Sequence, residues 1–175
     1  MSGNRAICEA SISSPAVGIG TTWMGMEWPP SKREAYVRPT NDEIHAYLSN
    51  AFDILKTIEA QDSRVLDLKL MIDTAPGYGD AESRIGSCLQ SNEYHERTII
   101  ATKWGEYPGT DGNPGHDFSS SRLLSSVAAS KELLGRIDIL YTHLTGRVGD
   151  RESIRVLRDI DVCGTLDSLR SDEES

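Results

Sequence analysis

The chain has 175 residues, with 27 acidic against 18 basic side chains and a net charge of -9. That balance leaves no basic face for nucleic acid or for an anionic membrane. Hydrophobic residues make up 38% and charged residues 26%, which excludes a disordered chain, and no apolar run approaches the roughly 20 residues of a membrane span.

The length fits a single domain. The opening "MSGNRAICEASISSPAVG" lacks a continuous apolar core, so no signal peptide is read there, and Glu9 together with the absence of an Arg-rich face argues against a transit segment. A cytoplasmic location is expected. Cys8, Cys88 and Cys163 are odd in number and widely spaced, a pattern of reduced thiols rather than of a disulfide framework or a zinc site.

In chain order, "AVGIGTTW" is a short apolar strand entering a loop. "TNDEIHAYLSNAFDILKTIEA" places Ile44, Tyr47, Leu48, Ala51, Phe52 and Leu55 at helical spacing, and Thr40 three residues before Glu43 is a capping-box start. "VLDLKLMIDTA" is a second strand whose apolar run, Leu68 to Ile72, ends on Asp73. "DAESRIGSCLQS" is a short helix and "RTIIATKWG" a third strand. "YPGTDGNPGHDF" is a long turn-rich loop, and "SSSRLLSSVAASKELLG" is a helix closed by Gly135. "IDILYTH" is a fourth strand, "DRESIRVLRDI" a last helix, and "SLRSDEES" an acidic tail. Strands alternating with helices predict an α/β fold with a parallel sheet and right-handed crossovers. Ile72, Ile100, Ala101, Ile139 and Tyr141 are candidates for the sheet face turned away from the helices.

Polar residues close the strands: Asp73 the second, Lys103 the third, His143 the fourth. In parallel α/β folds such groups converge on one face, where sites are built. A carboxylate at a strand end is costly unless paired, and Lys103 on the neighbouring strand is its natural partner. Tyr78, between Gly77 and Gly79, hangs off the loop that follows Asp73. Each residue has a plainer reading alone: a structural ion pair for Asp73 and Lys103, a packed core residue for His143, a turn residue for Tyr78. Together they compose proton-transfer chemistry. A cation held beside a phenol favours the phenolate, an aspartate holds the lysine, and a histidine donates to a carbonyl oxygen.

The segments "GIGTTWMG", "MIDTAPGYGDAESRIG", "TIIATKWGE" and "LGRIDILYTHLT", in that order, resemble the aldo-keto reductase superfamily from Val17 to about Leu144. The resemblance implies parallel (β/α) units of a TIM-type (β/α)8 barrel and NADPH-dependent reduction of a small-molecule aldehyde or ketone. It makes Tyr78 the general acid, Lys103 its cationic neighbour, Asp73 the anchor of Lys103 and His143 the substrate-orienting donor. Gly20, Thr21 and Thr22, with Asp73, fall where that family meets the nicotinamide of NADP(H). Trp23, Trp28 and Trp104 become candidate apolar walls for substrate, while Lys32 and Arg33 read as solvated charges.

Other motifs fail. Trp23 stands at the third glycine position of a dinucleotide turn, "GTDGNPG" lacks the Gly-Lys-Ser/Thr of a P-loop, and no Gly-x-Ser-x-Gly elbow exists. His45, His95 and His116 have no partner at metal-ligand spacing, so no metal site is expected. The domain reading is an N-terminal segment at 1–16, a partial barrel at 17–167 and the acidic tail at 168–175.

A (β/α)8 barrel takes about 250 residues, so the sequence supplies about half of one. Three arrangements fit: the amino-terminal half of a longer or divided reductase; a half-barrel that self-associates or pairs with a partner to close the barrel; or a non-catalytic interaction or structural protein derived from a reductase. NADP(H) binding by this chain alone is expected to be weak or absent, because the later strands carry most of that family's grip on the cofactor.

Overall fold

The computed structural model describes residues 15–26, 36–63, 67–89, 94–109 and 114–143. Cys8, Trp28, Lys32, Arg33, Cys163, the expected last helix at 150–160 and the acidic tail lie outside the described residues. Strand β1 (Pro15–Gly20) runs into a four-residue helix, α1 (Thr22–Gly25). Then come α2 (Asn41–Gln61), β2 (Lys69–Asp73), a 3-10 turn over Pro76–Tyr78, and α3 (Ala81–Leu89). After β3 (Thr98–Trp104) the chain forms the two-residue strands β4 (Glu106–Tyr107) and β5 (Gly115–His116), then α4 (Ser120–Leu134) and β6 (Ile139–Thr142).

The fold is α/β. One sheet has the order β1-β2-β3-β6, parallel throughout, as helical crossovers between neighbouring strands require. The stretch read as a long loop, 107–118, instead carries β5, which pairs antiparallel with β4. Two-residue strands are too short to leave a periodic signal in a turn-rich sequence. Strand β2 also starts later than its apolar pattern suggests. Asp67 takes a left-handed φ of 54°, and the Leu68 N–H donates to Glu59 Oε1 at 2.7 Å instead of to a strand.

Helix α2 begins where the sequence indicates. Thr40 Oγ1 accepts the Glu43 N–H at 3.2 Å, and Glu43 Oε2 accepts the Thr40 N–H at 2.7 Å, satisfying two donors the first turn cannot use. Its Ile44, Leu48, Phe52 and Leu55 are buried against Leu70, Ile72 and Ile100 of the sheet and against Ile85 and Leu89 of α3. Each such fully buried side chain contributes about 1.5–3 kcal/mol relative to exposure. Tyr47 lies at the rim of that stripe and is exposed. A second cluster, Trp104, Phe118, Leu123 and Val127, fills the space between β3 and α4.

The register fixes which face each strand residue occupies. Ile19 pairs with Ile72, and Ile72 with Ile100, and all three lie in the helix-side core. Ile72 and Ile100 therefore belong under the helices and not on the opposite face, where the sequence reading put them. That opposite face carries Met71, Ile99, Ala101, Ile139 and Tyr141, on the rows that lead to Asp73 and Lys103. The ladder alternates, so a shift of one residue exchanges the two faces.

Helices α3 and α4 touch backbone to backbone at Gly86, where a Cβ would collide with the Leu133 carbonyl. Gly86→Ala must push the two helices apart, and overpacking of this kind costs about 1–3 kcal/mol. The urea midpoint is expected to fall accordingly; an unchanged midpoint would show that the helix pair is not held at this separation.

Candidate active site

Asp73 is the last residue of β2 and pairs with Ala101, so Lys103 lies two residues further along β3 on the same face. From there its side chain reaches back. Lys103 Nζ forms an ion pair with Asp73 Oδ1 and donates to the Thr74 carbonyl at 2.9 Å. The backbone around the pair is tied on both sides. The Thr74 N–H donates to the Ala101 carbonyl at 2.9 Å, and the Asp73 carbonyl accepts both the N–H and the hydroxyl of Thr21, at 3.1 and 3.0 Å. The Lys103 side chain is 13% exposed and that of Asp73 41%, so the pair opens to solvent on the aspartate side.

The 3-10 turn brings Tyr78 over the pair, with its N–H donating to the Ala75 carbonyl at 3.0 Å. Lys103 Nζ lies 4.8 Å from the Tyr78 ring centroid, within cation–π range. The His143 N–H donates to the Trp104 carbonyl at 2.8 Å, extending the β3–β6 ladder by one residue. Its imidazole meets the Tyr78 ring edge-on, with centroids 5.5 Å apart and planes at 88°. Asp73, Lys103, Tyr78 and His143 are thus linked in a chain of contacts at the carboxyl end of the sheet. Burial holds the His143 imidazole below its usual pKa; Glu106 and Asp73 oppose that shift, and Lys103 and His116 add to it.

The other sequence-derived candidates separate. Gly20 is exposed beside Asp73, and a Cβ there would meet nothing within 4 Å. Thr21 is fully buried, and its hydroxyl and N–H both donate to the Asp73 carbonyl. Thr22 is half-buried in α1. The Trp23 indole donates to the Gly20 carbonyl at 2.9 Å and stands edge-on to Tyr47 of α2 at 5.2 Å. Trp104 is fully buried and packs edge-on against Phe118 at 5.7 Å. It offers no surface to a substrate, because its place on β3 points it at α4.

Three residues with no role in the sequence reading border the site. Glu106 is buried between His143 and His116, with Oε1 3.7 Å from Nδ1 of His143 and Oε2 4.0 Å from Nδ1 of His116. The one available signal was its place directly after "TKWG", where a charge follows a strand end. Glu82 lies behind Lys103 on the helix side. Thr102 Oγ1 donates to its Oε1 at 2.6 Å, and Ser130 Oγ donates to its Oε2 at 3.1 Å.

The sequence model of the aldo/keto reductase family matches residues 17–171. The chain belongs to the aldo/keto reductase family. No curated protein matches it significantly. Among solved structures it is similar to PA4992 of Pseudomonas aeruginosa, titled an aldo-keto reductase, at 27% identity and a TM-score of 0.60, over 90% of this chain and 51% of that one. A second structure of an aldo-keto reductase from the same organism gives 27% identity and 0.60, over 89% and 50%. The glycerol dehydrogenase AKR11B4 of Gluconobacter oxydans shares the fold at 24% identity and a TM-score of 0.53, over 85% and 42%. The chain thus spans about half the length of the solved reductases it matches. No helix among the described residues is long and apolar enough to cross a membrane.

Burial raises the Glu82 carboxyl above the ordinary 4.5, against the pull of the two hydroxyls and Lys103. In the pH range above 4.5 the folded state therefore binds more protons at this group than the unfolded state. Stability contributed by the group falls as pH rises through the raised value. Glu82→Gln is expected to flatten the decline of the urea midpoint between about pH 5 and 8. Identical slopes in the two proteins would rule out Glu82 as its source.

Proposed function

We propose that this chain carries the proton-transfer group of an NADPH-dependent carbonyl reductase acting on a small aldehyde or ketone. The observation that carries the reading is the convergence of four groups from four separate segments: Asp73 and Lys103 paired, with Tyr78 and His143 in ring contact over them. A structural ion pair needs no phenol and no imidazole on top of it.

Each group has a chemical part in that reading. His143 orients the carbonyl oxygen toward the Tyr78 hydroxyl. Tyr78 releases its proton to that oxygen as negative charge develops on it. Lys103, close to the ring, stabilises the phenolate left behind, and Asp73 keeps the ammonium in place. The strand ends suit a flat cofactor ring, because Gly20 leaves open space beside the partly exposed Asp73 carboxylate. When bound there, NADPH would supply the hydride. Because the chain spans about half of the reductases it resembles, the working form is one in which further strands cover the face of Met71, Ala101, Ile139 and Tyr141. Cofactor affinity of the 175-residue chain by itself is accordingly expected to be weak.

Fusion to the carboxyl half of a related reductase tests the proposal. NADPH-dependent aldehyde reduction is expected, and Tyr78→Phe should lower kcat by about 100-fold or more. Cofactor affinity should stay unchanged, because the lost interaction forms only in the transition state. Undiminished turnover in Tyr78→Phe would remove the proposed acid.

A further inference from the structure

The loops that leave β1 and β2 meet backbone to backbone at the turn that carries Tyr78. Gly25, the last residue of α1, is buried, and a Cβ on it would collide with the Tyr78 carbonyl and with the Ala81 nitrogen at the start of α3. The approach is mutual. Gly79 takes a left-handed φ of 68°, and a Cβ there would collide with the Gly25 carbonyl. Glu106 abuts the same turn at Gly77, where a Cβ would fall 2.7 Å from its Oε1. The helix α1 is itself tied down at both ends. Thr21 donates its N–H and hydroxyl to the Asp73 carbonyl at 3.1 and 3.0 Å. Arg84 of α3 donates to the Met24 and Pro39 carbonyls and, through Nε, to Asn41 Oδ1 at 2.7 Å.

We propose that Gly25 is a positioning residue for Tyr78: it is the seat of the turn, held in place by Arg84, and it sets how far the phenol stands from Lys103 and His143. The turn does not fix that distance by itself. It is three residues long and closed by the bond from the Tyr78 N–H to the Ala75 carbonyl, and 3-10 hydrogen bonds are poorer in geometry than those of an α-helix. A methyl group at Gly25 meets main-chain atoms rather than the end of a flexible side chain, so the turn or α1 must move. Asp73 and Lys103 belong to paired strands and stay, and Tyr78 shifts against them. The consequence for catalysis rests on the carbonyl-reductase reading. An acid displaced by about 1 Å loses about 100-fold in rate, whereas contacts made equally in the ground state are kept.

NOE spectra of the labelled 175-residue chain read the seat without turnover. The wild type is expected to show an NOE from Gly25 Hα to the Ala81 N–H, and NOEs from the Tyr78 ring to the Lys103 ε-methylene and the His143 ring. Gly25→Ala and Arg84→Lys should weaken or erase the ring NOEs. Gly86→Ala, which disturbs the far end of α3, should keep them. Ring NOEs at full strength in a folded Gly25→Ala overturn the proposal, as does their equal loss in Gly86→Ala. A wild type without the Gly25–Ala81 NOE also overturns it, and that measurement needs no variant to fold. In the fused reductase, Gly25→Ala should lower kcat about 100-fold at unchanged NADPH affinity, and an unchanged kcat would contradict the role. Full turnover in Tyr78→Phe would remove the proposed acid and leave the seat standing.

Discussion

The Asp73 carboxylate and the Lys103 ammonium meet across adjacent parallel strands, and the places of the other site residues follow from that contact. For the two to meet, β2 must end where β3 still has three residues to run, and the observed register, Asp73 against Ala101, provides that offset. Thr21 and Thr74 then lock the same strand end through main-chain bonds. Tyr78 is delivered by the turn that leaves Asp73, and His143 by one further rung of the ladder beyond Trp104. An unpaired lysine in so buried a position would carry a desolvation cost that the aspartate and the Thr74 carbonyl offset.

The sheet divides chemical labour between its faces. Under the helices lie Leu70, Ile72, Ile100, Trp104 and the apolar stripes of α2, α3 and α4, which supply the hydrophobic stabilisation. One carboxylate, Glu82, is held in that layer by two hydroxyl donors. The other face ends in the charged and aromatic groups of the site. This separation lets the strand ends carry charges without placing them in the core, and it is why parallel α/β folds build sites at the carboxyl edge.

Much of this was legible in the sequence because the signals were local. The Thr40–Glu43 cap, the closure of α4 at Gly135 and the polar residues ending three strands each depend on a few neighbouring positions. Face parity was not legible. β2 and β3 are near-continuous apolar runs, as buried parallel strands are, so no alternation marks Ile72 and Ile100 as helix-facing; only the ladder does. Trp104 and Thr21 border the site in sequence yet are fully buried: the pleat of β3 turns Trp104 toward α4, and Thr21, just past β1, donates its hydroxyl to the Asp73 carbonyl. Glu106 and His116 were missed because they meet through a hairpin with two-residue strands.

A double-mutant cycle on Asp73 and Lys103 tests the central claim most directly. Urea unfolding of the wild type, Asp73→Ala, Lys103→Ala and the double variant gives the coupling between the two side chains free of their separate packing effects. The account predicts a favourable coupling of about 1 kcal/mol, the upper range for a partly exposed pair. Additivity of the two substitutions within about 0.3 kcal/mol would contradict it, because the strand ends would then be aligned by something other than this pair.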